Sequence, residues 1–529
     1  MKPLALSVMA GLLAVALCGE VKAYEPIGTV EWAHAYGGEN HDASYGICGM
    51  PEGSFYVSGC YGSLDCPSDP LFVVHHFGLE DIFLAKYNGE GDLLWVRSAG
   101  SAEQDLGHGV SALPDGTCVI SGAYGGNTAS CTFGYGQPNQ TILPEIGKFD
   151  VYVAKYDGQG TLQWAKWAGG PAEDYSHDIA LTADGSVYVA GQFWGPSITF
   201  GHGLPTQTTL SKLPEDPGLF LARYDTNGVF QWALHEPVLQ VVALSDGSCV
   251  VTTFTGVARY AADGSKVWSN ESMPAHNTAV TPLEDNAFAV VYEVSGLWAS
   301  RFQANPDGTV SEVWKIYLPD CWIDDLAPIS TRPDGAFSFF GLGAGRLYTV
   351  AADGSWFSSG ALGLSVYAMC YSGDANYCYL TGNFQGNLAV GGTTLINQGD
   401  TDFFVVRAIS MERYAITALC QGPGWIQFNS PDAKYWNGAT AVLTAVSIFP
   451  ESFRFVEWGG DLAGLTETTV TFPMTNDMAV TAVFEHIEGT PELPAASGTT
   501  LATLIAGLAV AGVRAQRKKR AGPSRFLQL

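Results

Sequence analysis

The sequence predicts an all-β protein in which one four-stranded, Trp-bearing unit recurs along most of the chain. Three observations predict it. A strand centred on Trp recurs at Trp32, Trp95, Trp164, Trp232, Trp268, Trp314 and Trp356. Tight hairpin signals recur at the same interval, around Gly53-Ser54, Asp115-Gly116, Asp184-Gly185, Asp246-Gly247, Asp285-Asn286, Asp334-Gly335 and Ala375-Asn376. The two ends of the repeat region are complementary halves: Trp32 has no strand of the repeat type before it, and Asp402–Ala408 (DFFVVRA) has no Trp strand after it. Joining the halves completes one unit, and all three tallies then give seven. Four short antiparallel strands with one Trp, recurring along the chain, are the pattern of a β-propeller. The expected architecture is therefore a seven-bladed propeller over 24–411, closed by pairing Val30–Tyr36 with Asp402–Ala408.

The unit is clearest from Phe149 to Gly191. Asp150–Tyr156 has apolar residues on both faces, as a strand buried on both sides does. Asp157-Gly-Gln-Gly160 supplies turn chemistry, with two glycines free to take positive φ. Leu162 and Trp164 return as the partner strand. A Gly corner and Asp174 lead into a strand around Ile179–Leu181, and Asp184-Gly185 turns the chain into Val187–Ala190. Related strand-and-turn segments precede the other tryptophans: IFLAKYNGEGDLLW at Trp95, LFLARYDTNGVFQW at Trp232, VARYAADGSKVW at Trp268, WASRFQANPDGTVSEVW at Trp314 and RLYTVAADGSW at Trp356. Extra segments at 60–80, 123–149, 192–218 and 385–401 read as added hairpins or long loops.

The motif D-x-F-x-A-K-Y-x-x-x-G-x-L-x-W, followed by a Gly corner, Asp and D-G-S-x-Y-V-x-G, resembles the bacterial seven-bladed propeller repeats called SBBP. Residues 24–232 carry it well, and 233–411 keep the spacing more than the identities. The resemblance implies a fold and little chemistry. From Arg413 the pattern changes, and Thr469–Phe484 contains strict apolar/polar alternation, a half-buried strand signal. Residues 412–487 resemble the small bacterial repeat domain related to InlB B-repeats, with Tyr435, Gly438, Trp458, Gly460, Asp461, Met474 and Phe484 at its hallmark positions. That resemblance implies a stalk or spacer.

The chain ends suggest export and anchoring. Residues 1–23 read as a secretory signal: Lys2, an apolar stretch from Leu4 to Leu17, and Val21-Lys22-Ala23 as the cleavage site. After a linker at 488–494, residues 495–513 hold no charge over about one bilayer span. A basic tail, 514–529, follows with Arg514, Arg517, Lys518, Lys519 and Arg520, as a cytoplasmic stop-transfer signal would. The order also resembles sortase- and exosortase-type sorting signals, although Pro491-Glu-Leu-Pro494 and Leu493–Gly498 both depart from those motifs. The expected location is the cell envelope or extracellular surface.

Net charge is −27. Eight of the 25 basic residues lie in the two terminal segments, against the single acid Glu20, so the body between them is more acidic still. Such a surface makes nucleic acid and anionic lipid poor partners. Charged residues are 15% and aromatics 12% of the chain, with 63 glycines, a composition for turns and strands and not for disorder. An oxidising compartment would permit disulfides, and Cys60/Cys66, Cys118/Cys131 and Cys370/Cys378 are close enough in sequence to pair; free buried thiols are the alternative.

No HExxH, GxSxG, GxxxxGK[ST] or EF-hand loop is present. Two features touch on chemistry. Asp105/His108 and Asp174/His177 are equivalent pairs after the Gly corner, with Asp42/Tyr45 in the first repeat, and they should enter the innermost strands beside the channel. They either ring a cation or divide the work, with Asp capping the corner by accepting backbone N–H bonds and His filling a half-exposed strand position. The Asp157-x-x-Gly160-x-x-x-Trp164 hairpin resembles the tryptophan-docking hairpins of quinoprotein dehydrogenases, a shared packing solution. No catalytic, metal or cofactor-binding residue is assigned. The expected function is a non-enzymatic binding, adhesion or surface structural module for an unknown protein or glycan ligand. The rival is a channel-face enzyme acting on glycans, or a quinoprotein-like oxidoreductase. Clustering of carboxylate, His and Tyr side chains in one channel mouth would favour the enzyme; aromatics scattered over the rim would favour binding.

Overall fold

The computed structural model describes residues 30–62, 74–126, 130–254, 256–271, 278–305, 307–318, 323, 328–332, 335–341, 346–352, 354, 356–358, 364–371, 373, 377–390, 392–409, 413–428, 434–436, 440–474 and 477–488. The leader, the span at 495–513 and the basic tail lie outside them, as do Cys66 and Gly438. Among the described residues no helix is long and apolar enough to cross a membrane. The chain forms two compact units, one of Ile27–Ser410 and the other holding the segment from Met411 onward.

The first unit is a β-propeller. Among the described residues it holds seven antiparallel sheets of four or more strands. The first is typical, with Asp42–Gly49, Phe55–Tyr61, Asp81–Tyr87 and Leu93–Ala99 hydrogen-bonded in chain order. The first strands of successive sheets lie side by side around the axis, and the strand Ala368–Tyr371 of the last sheet returns to contact Asp42–Gly49. In the last sheet the N-terminal strand Val30–Tyr36 pairs antiparallel with Asp402–Ile409, Trp32 opposite Arg407 and Ala35 opposite Phe404. The expected closure by complementary halves is thus observed. Phe404 and Val406 are fully buried, as their places in the repeat require.

Each Trp-bearing segment forms the outermost repeat strand of its sheet, and its contacts explain why Trp recurs. In the second sheet, Asp157 N–H donates to Thr161 O and Gly160 N–H to Asp157 O, closing the hairpin. The register then shifts between Lys155 and Tyr156, a bulge of the kind that needs a left-handed residue. Gly160 supplies it with φ +76°. The Trp of the preceding sheet lies over this glycine and donates into the same hairpin: Trp95 Nε1 to Gly158 O at 3.1 Å, Trp164 to Thr226 O at 3.1 Å, Trp232 to Ala262 O at 2.9 Å and Trp314 to Ala352 O at 2.9 Å. A second lock runs beneath it, with Tyr56 Oη donating to Gly116 O at 2.7 Å and Tyr188 Oη to Gly247 O at 2.7 Å. The motif Trp therefore joins neighbouring sheets, as the packing resemblance implied.

At the closure the lock is altered. Trp32 stacks on Phe55 and covers Gly91, but its Nε1 has no hydrogen-bond partner among the described residues. The hairpin carbonyl of Gly89 is taken instead by Arg407 Nη1 at 2.5 Å and Tyr379 Oη at 3.3 Å. Arg407 also pairs with Glu31 at 3.0 Å and Glu90 at 2.9 Å. Here ion pairs bridge N-terminal strand, C-terminal strand and first hairpin.

The expected insertions form hairpins: Cys131–Phe133 with Thr141–Leu143, Ser197–Phe200 with Thr208–Ser211, and Leu388–Val390 with Thr393–Leu395. The second of these extends the preceding sheet to six strands, Ala168 opposite Phe200. The corresponding segment at 63–73 lies outside the described residues. Cys118, Cys131, Cys370 and Cys378 are buried free thiols, so the two pairings allowed by spacing are not made.

The second unit packs the sheet order Lys434–Trp436, Arg413–Gln421, Met478–His486, Phe453–Gly460 with a three-stranded sheet of Gly424–Phe428, Thr440–Ser447 and Thr469–Pro473. Arg413–Gln421 and Met478–His486 run parallel. Alternation in the last strand does what the sequence indicates: Val480, Ala482 and Phe484 are buried in a core with Trp458 and Met474. Trp458 Nε1 donates to Glu467 O at 2.9 Å, and Asp461 accepts Ala479 N–H at 2.7 Å.

Candidate functional site in the central channel

The innermost strands build the channel wall, and a repeated bulge sets which residue faces it. The register shifts at Ser44/Gly46, Gly107/Gly109, Ser176/Asp178 and Val238/Gln240. The extra residues are Tyr45, His108, His177 and Leu239. A bulge re-aims the side chain it carries and interrupts the ladder locally. Tyr45, His108 and His177 accordingly line a channel cavity of about 860 Å³ with Tyr175, Asp178, Gln192, Trp194, Gln240 and Tyr367.

The structure separates the members of the Asp/His pairs. Asp105 turns into the corner: Ser101 N–H donates to it at 2.6 Å, Ser101 Oγ at 3.1 Å and Gly125 N–H at 3.1 Å. Asp174 accepts Gly170 N–H at 2.7 Å, and Asp42 accepts Gly38 N–H at 2.8 Å and Gly62 N–H at 3.0 Å. These carboxylates cap corners, as the second of the two readings has it, while the histidines line the cavity. A second tier has the same task, with Asp81 accepting Phe77 N–H, Asp150 Ile146 N–H and Asp402 Gln398 N–H. Burial drives Asp105 and Asp174 up to about 8, against the opposing pull of these N–H groups.

His108 and His177 are half-buried, as that reading expects. His108 Nδ1 lies 2.6 Å from Ser176 O and donates to it, which ties two neighbouring inner strands. Its ring meets Tyr45 edge-on at 5.7 Å, and Tyr45 meets Tyr367 at 5.8 Å. Burial lowers both imidazoles, His177 to about 4, so they are neutral at physiological pH. Asp178 accepts Val241 N–H from the next sheet and its neighbour Ile179 N–H, both at 2.8 Å; burial pushes it up to about 7. Tyr175 is pushed up to about 12 by the same cause. The wall thus mixes polar and apolar side chains, with neutral imidazoles beside the Asp178 carboxyl, and Trp194 and Tyr367 leave 60% and 50% of their surface exposed.

Sequence reasoning placed Tyr45, His108 and His177 beside the channel and missed Trp194, Gln192, Gln240, Asp178 and Tyr367. The distance of three residues from each corner Asp marks the bulge, a signal present in the sequence. Trp194 and Tyr367 obey no repeat rule that would have singled them out.

Fold and site together define a β-propeller followed by a bacterial repeat module. Residues 414–488 match the divergent InlB B-repeat domain family. An uncharacterized WD repeat-containing protein of Acanthamoeba polyphaga mimivirus is 26% identical over 178 residues, covering 30% of this chain and 12% of that protein. The regulatory protein FlaEY of Caulobacter vibrioides is 29% identical over 115 residues, 22% of this chain and 12% of that protein. The matched segments thus span about an eighth of either relative. Among solved structures, a streptogramin B lyase aligns with TM-score 0.39 and 12% identity over 70% of this chain and 97% of that one. The Cps50 (Swd1) propeller domain of Myceliophteria thermophila aligns with TM-score 0.42 and 9% identity over 72% and 99%. At those scores they carry no argument about chemistry.

Proposed function

We propose that this chain is an exported, envelope-anchored seven-bladed propeller that binds a neutral polar ligand, a glycan or a glycan-bearing protein, in its channel without chemical turnover. The observation that carries the reading is the channel wall. Exposed aromatic faces at Trp194 and Tyr367 stand beside phenols and amides of Tyr45, Tyr175, Gln192 and Gln240 around a cavity of about 860 Å³. Stacking surface with a few hydrogen-bonding groups in that size range is what a small-molecule site needs. The corner carboxylates repeated in the sequence are occupied by backbone N–H groups, which supports binding over carboxylate catalysis. The small C-terminal unit acts as spacer, the leader directs export, and 495–513 holds the protein in the membrane.

A specific observation favours the enzyme as a second reading: His108, His177, Asp178 and Tyr175 meet in the same cavity. One experiment separates the two. The 24–487 ectodomain is applied to a glycan array, and bound ligands are recovered and analysed. Binding with intact recovery, weakened by Trp194→Ala, supports the binding module. Cleaved product that disappears in His177→Gln supports the enzyme. An array with no signal overturns the glycan assignment.

A further inference from the structure

A second cluster, separate from the channel site, lies at the entry corner of the first sheet. His41 immediately precedes the strand Asp42–Gly49, Glu80 immediately precedes Asp81–Tyr87, and Cys60 lies in the strand between them, opposite Ala43 and Ile82. One donor atom from each of His41, Cys60 and Glu80 falls within 4.8 Å of the other two. We propose that these three residues form a binding site for a divalent metal ion of zinc type.

Four observations support it. His41 Nδ1 is buried from water and has no hydrogen-bond partner among the described residues. Its separation from Glu80 Oε1 is 3.7 Å, longer than a hydrogen bond. Two ligands at about 2.0–2.2 Å from a tetrahedral zinc stand roughly 3.3–3.6 Å apart, so the observed spacing is close to that of groups sharing an ion. Glu80 is held from behind by Gln104 Nε2, which donates to its other oxygen at 2.9 Å, the kind of outer contact that orients a metal-binding carboxylate. The repeat gives no structural need for the set. At the equivalent places in the second sheet the chain carries Gln104, Ala123 and Phe149, none of which completes a ligand trio.

The donor set also selects the metal. Thiolate and imidazole suit zinc and its neighbours, whereas calcium and magnesium take oxygen ligands. Three protein ligands leave the fourth position to water. The side chains of His41 and Glu80 are 34% and 20% exposed, while Cys60 is fully buried. Binding requires the thiolate, so each ion bound by Cys60 releases the thiol proton to solvent.

The test uses the full-length protein, stripped with chelator under reducing conditions and titrated with cobalt(II) alone as the spectroscopic stand-in for zinc. The expected result is one equivalent bound with a near-ultraviolet thiolate-to-cobalt charge-transfer band, displaced by zinc and accompanied by proton release. Cys60→Ser should abolish the band, whereas Cys48→Ser should retain it. Gln104→Ala should weaken affinity by about 10-fold or more. His41→Ala, at a partly exposed position, provides the reading if Cys60→Ser does not fold, and should also lose the stoichiometric ion with the circular dichroism unchanged. Folded wild type with no charge-transfer band would overturn the proposal. So would a band that survives both Cys60→Ser and His41→Ala, or a Cys60–Cys66 disulfide in peptide maps of the native protein.

Discussion

Replacing Gly160 by alanine isolates the lock between neighbouring sheets. The residue has φ +76°, and an added Cβ would lie 2.9 Å from Trp95 Cε3, 3.0 Å from Trp95 Cδ2 and 3.1 Å from Arg97 Nε. Gly136, in the separate two-stranded hairpin of Cys131–Phe133 and Thr141–Leu143, has nearly the same φ, +72°, with nothing within 4 Å of its added Cβ. Left-handed backbone costs a non-glycine residue about 1–2 kcal/mol, and both variants share that term. Only Gly160→Ala displaces the indole, which costs about 1–3 kcal/mol more as overpacking. The indole holds the next sheet through Gly158 O and Arg97 holds it through Gly160 O at 2.8 Å. The variants are compared by guanidinium unfolding followed by far-ultraviolet circular dichroism. Gly160→Ala should lose about 1–3 kcal/mol more than Gly136→Ala, and the excess should vanish when Trp95→Ala is added, since the space is then free. Equal losses within about 0.5 kcal/mol, or an excess that persists without Trp95, would refute the lock.

Three further outcomes are expected. Ending the chain at Thr401 removes the strand between Tyr377–Phe384 and Val30–Tyr36; with Phe404 and Val406 each contributing roughly 1.5–3 kcal/mol by burial, the whole propeller should destabilise, whereas ending after Ile409 should leave its unfolding midpoint unchanged. Between pH 6.5 and 8 the native protein should lose stability as pH rises, because Asp105 and Asp174 hold protons up to about 8 that the unfolded chain has already released. The slope is at most about 1.4 kcal/mol per pH unit per group; Asp105→Asn should flatten it, and stability that rises across this window would contradict the assignment. Deleting 495–529 should release the protein from the membrane fraction, and retention there would mean another attachment.

How far the sequence went can be judged residue by residue. It located the repeat, the Trp strands, the closing pair Val30–Tyr36 and Asp402–Ala408, and the start of a second β-rich unit at Arg413, because each is written in local periodicity and turn chemistry. The Asp-capped corners were legible for the same reason, since each carboxylate meets the N–H of the residue four before it in its own corner. The channel site was legible only in part. Tyr45, His108 and His177 could be placed by their offset from the corner Asp, but Trp194 and Tyr367 reach the cavity through a corner loop and the segment before an inner strand. The trio His41, Cys60 and Glu80 joins one strand residue to the residues that precede its two neighbouring strands, and nothing in their spacing marks it. The altered lock at the closure, where Arg407 takes the carbonyl of Gly89 and Trp32 Nε1 goes without it, joins residues more than three hundred positions apart. Local pattern fixes which strands form, because hydrogen bonding and side-chain alternation act within a few residues. Which polar side chains meet depends on how the ring brings distant strands together, and only the tertiary structure decides that.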